Sequence, residues 1–191
     1  KFPTPPRWRT LLWWYRRSGD PTTREMVTTT LESMARGGLR DHVGGGFHRY
    51  TVDAHWTVPH FEKMLYDNAQ LATLFLEAGA ALGRPDFTAV ATDTLAFLDH
   101  EMAATDGACY ASFDADSGGQ EGTYYVWTPE QLADVVGPAD GPVLADLLGV
   151  DAAGNFEHGT SVVTRRREAA AIAEAHGRDA AEVAGLFDRH R

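Results

Sequence analysis

The segment that decides the fold is residues 87–102, FTAVATDTLAFLDHEM. Its apolar side chains recur at i, i+3, i+4, i+7 and i+8 across four turns, which indicates a helix with one buried face. The preceding segment, from about Phe61 to Leu82, is predicted to form a helix that Gly83 ends. The two together predict a helical hairpin. The residues that follow this spacing are Phe87, Val90, Ala91, Thr94, Leu95, Leu98 and Met102.

A second pair of helices is predicted at the start of the chain. Its first helix covers residues 7–17, where four large side chains have the spacing of one helical face. Its second helix begins at Pro21, with Asp20 as the N-terminal cap, and ends at Gly37. Shorter helices are expected after Thr128, whose following residues match a capping box, and at 142–148, 168–176 and 180–190.

Each predicted pair of helices is followed by a glycine-rich loop, at residues 44–53 and 106–127. This repeat is typical of α-solenoids and closed α/α toroids, in which every hairpin is covered by its neighbours. A ring of about six hairpins needs roughly twice this length. We therefore predict an all-α fold in which residues 1–191 form one domain. That domain is a partial α/α toroid of helical hairpins, glycine-rich loops and short β-hairpins.

Composition excludes several classes of protein. The chain has 191 residues, of which 43% are hydrophobic and 23% charged, a globular composition. Its net charge of −10 repels phosphate backbones, so we expect no nucleic-acid partner. No apolar run is long enough to span a membrane. Cys109 is the single cysteine, which excludes a disulfide within the chain and a Cys-rich zinc site. The expected location is cytoplasmic.

Charge is distributed unevenly along the chain. Residues 1–50 carry nine basic and four acidic side chains, a balance of +5. Residues 51–191 carry eight and 23, a balance of −15. We expect the basic segment to pack on the acidic remainder or on a neighbouring domain. Because the chain begins at Lys1 rather than Met, we also expect the natural N-terminus to lie upstream.

A first polar cluster covers residues 48–68. Four of the eight histidines, His42, His48, His55 and His60, fall within 19 residues, but their gaps match no zinc-ligand spacing. Two interpretations stay open: a pocket for a sugar or another small polar ligand, and a hydrogen-bond network that holds the loop on the helices. On the helix predicted from about Phe61, Lys63 and Asp67 are an i,i+4 pair and are expected to form a salt bridge.

A second polar cluster covers residues 114–127. Asp114, Asp116 and Gly119 match the first, third and sixth positions of a calcium loop, but the fifth and twelfth positions lack a ligand. Acid/base chemistry on a sugar, with neighbouring aromatic rings as stacking surfaces, is one interpretation of the cluster. A tight turn capped by the two aspartates is the other. The stretch from Tyr124 to Trp127 favours a short strand.

Four segments of the chain resemble one known family. They are Lys1–Pro3, Gly44–Leu71, Phe113–Trp127 and Gly154–Glu157, and PHFEKMLYDNAQL at residues 59–71 is the most specific. Over most of residues 1–160 the chain is similar to the thioredoxin-domain-containing proteins of uncharacterised function that include spermatogenesis-associated protein 20 and its bacterial relatives. That family has no established activity to carry over.

The resemblance implies a domain arrangement. A thioredoxin-like domain would lie upstream of Lys1. The following region would resemble the α/α toroid of six-hairpin glycosidases and N-acylglucosamine 2-epimerases, with this chain as its first half. We therefore expect the chain to pack against the rest of the ring and a thioredoxin-like domain, or to self-associate.

The candidate site residues come from the two polar clusters. Asp116 and Glu121 are the predicted acid/base pair, with His48 and His60 as further catalytic candidates. The predicted ligand is a sugar-like small molecule, and no metal or cofactor is predicted. Trp127 is the predicted stacking surface, and the other predicted substrate contacts are Arg49, Asp53, Trp56, Tyr66, Asp67 and Asp114.

Two functions are compatible with these residues. The first is carbohydrate binding or processing of an epimerase or glycosidase type. The second is a non-catalytic interaction module that accompanies a thioredoxin-like domain, so the sequence leaves open whether the chain is an enzyme. An enzyme would gather His48, His60, Asp116 and Glu121 around one pocket, whereas a scaffold would leave them in separate turns.

Overall fold

The computed structural model describes all 191 residues, which form eight helices and four short antiparallel strand pairs. The predicted helical character is confirmed, and the strands form short antiparallel pairs. The closed-ring arrangement stays a prediction. The helices are α1 (Pro5–Ser18), α2 (Pro21–Arg36), α3 (Leu65–Leu82), α4 (Pro85–His100), α5 (Pro129–Val136), α6 (Gly141–Leu148), α7 (Ala169–His176) and α8 (Ala180–His190), with a 3-10 turn at Glu157–Gly159.

The strands are two residues long, and each pair is antiparallel. They lie between and beside the helices and fix the loops that carry the polar clusters. The pairs are β1 (Tyr50–Thr51) with β2 (Pro59–His60), β3 (Lys63–Met64) with β4 (Ser112–Phe113), β5 (Asp116–Ser117) with β6 (Gln120–Glu121), and β7 (Val126–Trp127) with β8 (Ser161–Val162).

Two separate hydrophobic cores divide the helices into two units. The larger core lies among α1 to α4 and includes Leu31, Phe47, Phe75 and Phe87. The smaller core lies among α5 to α8 and includes Leu148, Ile172 and Phe187. A third cluster of Phe61, Ala115 and Val162 joins the loops between the units. None of the helices combines the length and apolar character that a bilayer crossing requires.

The capping residues predicted for two helices cap them in the structure. The Asp20 carboxylate accepts hydrogen bonds from the backbone N–H groups of Thr22 and Thr23, and Pro21 is the first residue of α2. Thr128 and Gln131 form a reciprocal capping box at the start of α5. These caps satisfy backbone donors that have no partner within the helix.

The third helix starts four residues later than predicted. Residues 63–64 pair with Ser112 and Phe113 as a β-ladder, and the Leu65 N–H donates to the Ala111 carbonyl. Tertiary pairing of these backbone groups overrides the helical periodicity, so α3 begins at Leu65. The predicted strand at 124–127 is likewise shorter, because the Tyr125 N–H closes a turn onto the Gly122 carbonyl.

The first glycine-rich loop packs closely on α4. Gly46 has a φ of 72°, and a Cβ atom there would lie 2.4 Å from the ring of Phe97. A side chain at this position would meet both backbone strain and a steric clash, so the close approach requires glycine.

Candidate functional site

A buried ion pair holds the first glycine-rich loop against β3. The Lys63 ammonium lies 2.7 Å from Asp41 Oδ2 and donates to the Gly45 carbonyl at 2.7 Å. Its side chain is 2% exposed. The predicted salt bridge between Lys63 and Asp67 is therefore wrong, because residue 63 lies on β3 and not on the helix that begins at Leu65.

Burial and charge set the protonation of this pair. Burial lowers the pKa of Lys63, and the Asp41 carboxylate opposes that effect. Burial acts to raise the pKa of Asp41, but the lysine charge and hydrogen bonds outweigh it, so the pKa stays below its usual value. The 2.7 Å distance between the ammonium and the carboxylate is that of a charge-assisted hydrogen bond. The ammonium also lies 4.5 Å from the centre of the Phe97 ring, so aromatic carbon covers part of the cation.

His48 lies in the same interior. It is 2% exposed, its Nδ1 is 3.0 Å from the Phe61 carbonyl oxygen, and its ring meets Phe61 and Tyr125 edge to face. Burial, followed by the nearby Lys63 charge, lowers the pKa of His48 to about 3. The imidazole is therefore neutral at physiological pH, with Nδ1 placed to donate to the carbonyl. The structure places His48 behind the surface that carries the other candidates.

Four ionisable side chains form a partly exposed row beside this interior. His60 Nδ1 lies 2.6 Å from Glu121 Oε1, and Glu62 Oε2 lies 2.7 Å from Arg49 Nη1. The two pairs meet where His60 Nε2 lies 3.8 Å from Glu62 Oε2. Strand pairing explains the arrangement, because β1 and β2 place Tyr50 opposite His60 with their rings stacked.

Asp67 extends the row at the first turn of α3. Its Oδ2 atom is buried and has no hydrogen-bond partner. Burial and the Glu62 charge raise the pKa of Asp67 to about 6, although Arg49 and the Tyr66 hydroxyl oppose the shift. We call Glu121, His60, Glu62, Arg49 and Asp67 the acid–base row. It contains one group that titrates close to neutral pH, which suits proton transfer.

Asp67 is predicted to make stability pH-dependent. Its folded-state pKa of about 6 lies above the unfolded value, so the folded state binds the proton more tightly. The contribution of Asp67 is therefore fully favourable below about pH 4 and is lost as the pH rises towards 6. Asp67→Asn is expected to gain stability relative to the wild type at pH 7 but not at pH 4, as measured by urea unfolding. Equal differences at both pH values would contradict the raised pKa.

The second loop brings Asp116 next to Glu121. The two residues are directly opposite in the β5–β6 ladder, so their side chains lie on one face of the hairpin. Positive φ angles at Gly118 and Gly119 give the hairpin a type I′ turn. Asp114 accepts a hydrogen bond from the Asp116 N–H at 3.1 Å and so shapes the entry to the hairpin.

A cleft of about 510 Å³ opens beside Glu121. Glu121 is the member of the acid–base row that lines it, and its wall combines apolar and polar groups. The 3-10 turn of the 154–160 loop forms the side opposite β6. The lining residues are Val52, Val58, Pro59, Gln120, Glu121, Thr123, Val126, Phe156, Glu157, His158 and Thr160.

Three other predicted contacts are used within the fold. The Asp53 carboxylate accepts backbone hydrogen bonds from His55, Thr57 and Val58, which closes the loop between β1 and β2. Trp56 is buried, with the Lys1 ammonium 4.4 Å from its ring centre. Trp127 packs against the smaller core.

The structure thus brings together some of the predicted residues and separates others. His60 and Glu121 share a hydrogen bond, Asp116 is opposite Glu121, and Arg49, Tyr66 and Asp67 are adjacent to them. The contacts of His48, Asp53, Trp56 and Trp127 are instead with other parts of the fold. The His, Cys, Asp and Glu side chains form no group of three or more placed to hold a metal ion.

Sequence reasoning missed three residues of this region. Glu62 links Arg49 to His60, and Glu157 and His158 line the cleft. Glu62 lies two residues after His60. This strand-like alternation was the sequence signal that could have placed Glu62 in the site. Glu157 and His158 reach the cleft through a loop contact that leaves no pattern in the sequence.

Comparison with known proteins identifies relatives of the chain. No protein-family model matches this sequence. A rat protein is 38% identical over 194 residues, which cover 87% of this chain and 25% of the relative. A human protein is 41% identical over 175 residues, which cover 82% and 22%. Homologues of this chain are named spermatogenesis-associated protein 20. An uncharacterized protein of Caenorhabditis elegans is 36% identical over 68% of this chain and 20% of its own length.

The chain spans about a quarter of the length of the curated relatives it matches, from 20% in the Caenorhabditis elegans protein to 27% in the mouse protein. The similarity to spermatogenesis-associated protein 20 that the four segments predicted is therefore confirmed as homology over most of this chain. The upstream thioredoxin-like domain and the toroid remain predictions. The name of these relatives states no substrate or reaction, so the function rests on the site itself.

Proposed function

We propose that the chain carries a binding site for a sugar-like, polyhydroxylated small molecule at the acid–base row and its adjoining cleft. The single observation that supports this most strongly is the hydrogen bond between His60 and Glu121 at the edge of that cleft. Two segments 61 residues apart converge there on an accessible pair of groups that exchange protons readily.

The chemistry of the row matches a hydroxyl-rich ligand. Carboxylates accept hydrogen bonds from hydroxyl groups, and the planar guanidinium of Arg49 donates two in parallel. Tyr50, stacked on His60, and Phe156, at the wall of the cleft, offer aromatic surface to the ring of a sugar. The proposed site is therefore polar at its centre and partly apolar at its edge.

The His60–Glu121 pair supplies a defined route for a proton. With Glu121 accepting from Nδ1–H, Nε2 of His60 carries the free lone pair and is the proposed base. The resulting imidazolium would lie between two carboxylates, Glu121 and Glu62, which stabilise it. Asp67, with its raised pKa, is the proposed proton donor. This assignment favours proton removal next to a carbonyl, as in epimerisation, over hydrolysis.

The proposal predicts saturable binding of a monosaccharide or disaccharide. Titrations of the chain with glucose, mannose, N-acetylglucosamine and maltose are expected to raise its melting temperature saturably for at least one of them. Glu121→Ala removes a charged hydrogen-bond acceptor and is expected to weaken that binding by about tenfold or more. Isothermal titration calorimetry measures the change.

Glu174→Ala is the matched control, because Glu174 is an exposed glutamate on α7 that makes no ion pair. It removes the same charge and is expected to leave binding unchanged. Identical affinities of the two variants would contradict the assignment of Glu121. Absence of a response to all four sugars, in a chain that unfolds cooperatively, would contradict the ligand class.

A second candidate function, an interaction module, is favoured by one observation. Trp13 and Trp14 on α1 and Leu76 on α3 are each at least half exposed, although α1 and α3 pack together. Exposed apolar side chains of this size on neighbouring helices are typical of surfaces that another domain covers. We propose this surface as the one that contacts further parts of a longer protein.

A further inference from the structure

A second cleft, distant from the acid–base row, lies between the two helical units. It has a volume of about 550 Å³, and side chains from α2, α4, α7 and α8 line it. Its wall is rich in charged residues of both signs and includes the carboxylates of Glu32, Asp86, Asp93, Glu168 and Asp188. Six of its lining residues are arginines: Arg36, Arg40, Arg84, Arg165, Arg167 and Arg191.

Most of these arginines have carboxylate partners. Arg84 pairs with Glu32 and Asp86, and Arg36 pairs with Glu168. Arg40 and Arg191 share Asp93, and Arg167 pairs with Asp146. Their charges are thus locally compensated, so five of the six guanidinium groups need no external anion.

Arg165 differs from the other five. No carboxylate lies within 4 Å of it, and its guanidinium donates no hydrogen bond to the protein. It stacks on Phe187 with its central carbon 4.9 Å from the ring centre. Burial lowers the pKa of Arg165, and the charges of Arg40, Arg191 and Arg36 lower it further, whereas Asp188 opposes them. Arg40 adds a buried Nε atom without an acceptor.

The backbone around Arg165 is held rigidly. Its N–H donates to the Arg36 carbonyl at 2.8 Å, and the Arg36 guanidinium donates to the Arg165 carbonyl at 2.9 Å. These two hydrogen bonds fix the backbone that carries the unpaired cation. Preorganised donors bind anions more tightly, because they lose little entropy on binding.

We propose that this cleft binds the phosphate group of a small phosphorylated molecule, with Arg165 as its principal ligand. A phosphate dianion would satisfy the free guanidinium fork and relieve the repulsion among four neighbouring arginines. The volume of the cleft exceeds that of inorganic phosphate and leaves room for an attached organic group. This site is separate from the acid–base row and does not depend on the proposed function.

The test is a titration with inorganic phosphate at constant ionic strength, with chloride and acetate as the comparison anions. Phosphate is expected to raise the melting temperature saturably, whereas the other two anions are not. Arg165→Gln is expected to weaken phosphate binding by about tenfold or more, since one charged hydrogen-bonding group is lost. Arg189→Gln is the matched control on exposed α8 surface and is expected to bind as the wild type does.

A second variant keeps the test informative if Arg165→Gln does not fold. Arg165→Lys retains the charge but loses the planar fork, and it is expected to bind phosphate with reduced affinity. An unchanged affinity in both variants would overturn the role of Arg165. Equal responses to phosphate and acetate would overturn the phosphate assignment, and so would a response that does not saturate.

Discussion

Replacing Lys63 by methionine is expected to lower the free energy of unfolding by about 3–5 kcal/mol, because Asp41 would remain as a buried charge without its partner. The change keeps most of the volume of the side chain, so the loss reports the charge and not a cavity. Urea unfolding followed by circular dichroism measures it.

The pH dependence of this loss of unfolding free energy identifies its cause. In Lys63→Met the pKa of Asp41 would rise above its unfolded value, since the lysine charge that lowers it is gone. The variant would then regain stability as the pH falls and Asp41 takes up a proton. The deficit relative to the wild type is therefore expected to be larger at pH 8 than at pH 5.

Two further variants serve as controls for Lys63→Met. Adding Asp41→Asn removes the unpaired charge and is expected to restore part of the stability. Arg24→Met removes a positive charge from the exposed face of α2 and is expected to change stability by less than about 0.5 kcal/mol. A deficit in Lys63→Met below about 1 kcal/mol would show that the ion pair does not hold the loop.

Replacing Asn68 by alanine is expected to cost about 2–4 kcal/mol of unfolding free energy. Asn68 is fully buried, and its side chain acts as a substitute backbone for the loop: Oδ1 accepts from the Phe47 N–H at 2.6 Å, and Nδ2 donates to the Phe47 carbonyl at 3.0 Å. Alanine would leave both groups of Phe47 buried without these partners, and each unsatisfied group costs about 1–3 kcal/mol.

Hydrogen exchange measures this loss at a single amide. The Phe47 N–H is expected to be strongly protected in the wild type and to lose protection in Asn68→Ala. Gln70→Ala, two residues along α3, removes only a hydrogen bond to the Tyr66 carbonyl and is the control. Unchanged protection of the Phe47 amide in Asn68→Ala would contradict the proposed anchoring.

The helices could be predicted because their signals are local. Most of the apolar spacing of residues 87–102 lies in α4, which ends at His100, and the caps at Asp20 and Thr128 act within one turn. The start of α3 could not be predicted, because the backbone of Lys63 and Met64 pairs with a strand about 50 residues away. A helical pattern records side-chain spacing only and carries no information on that partner.

The candidate site shows the same division between local signals and long-range contacts. His60 and Glu121 were each predicted from their chemical type, but their hydrogen bond connects residues 61 positions apart. Lys63 was expected to pair along its own helix and instead pairs with Asp41 in the interior. Arg165 belongs to no sequence motif. It lacks an ion-pair partner because most of the carboxylates near it pair with the other arginines of the cleft.

The sequence by itself determined the helical hairpins, their caps and the residue types available for chemistry, because these depend on periodicity and on contacts within a few residues. Only the tertiary structure decided which of those groups are buried, which are paired and which face a cleft. Burial and long-range pairing are properties of the whole packed chain. For this reason the pKa of Asp67, the partner of Lys63 and the free charge of Arg165 became evident only in three dimensions.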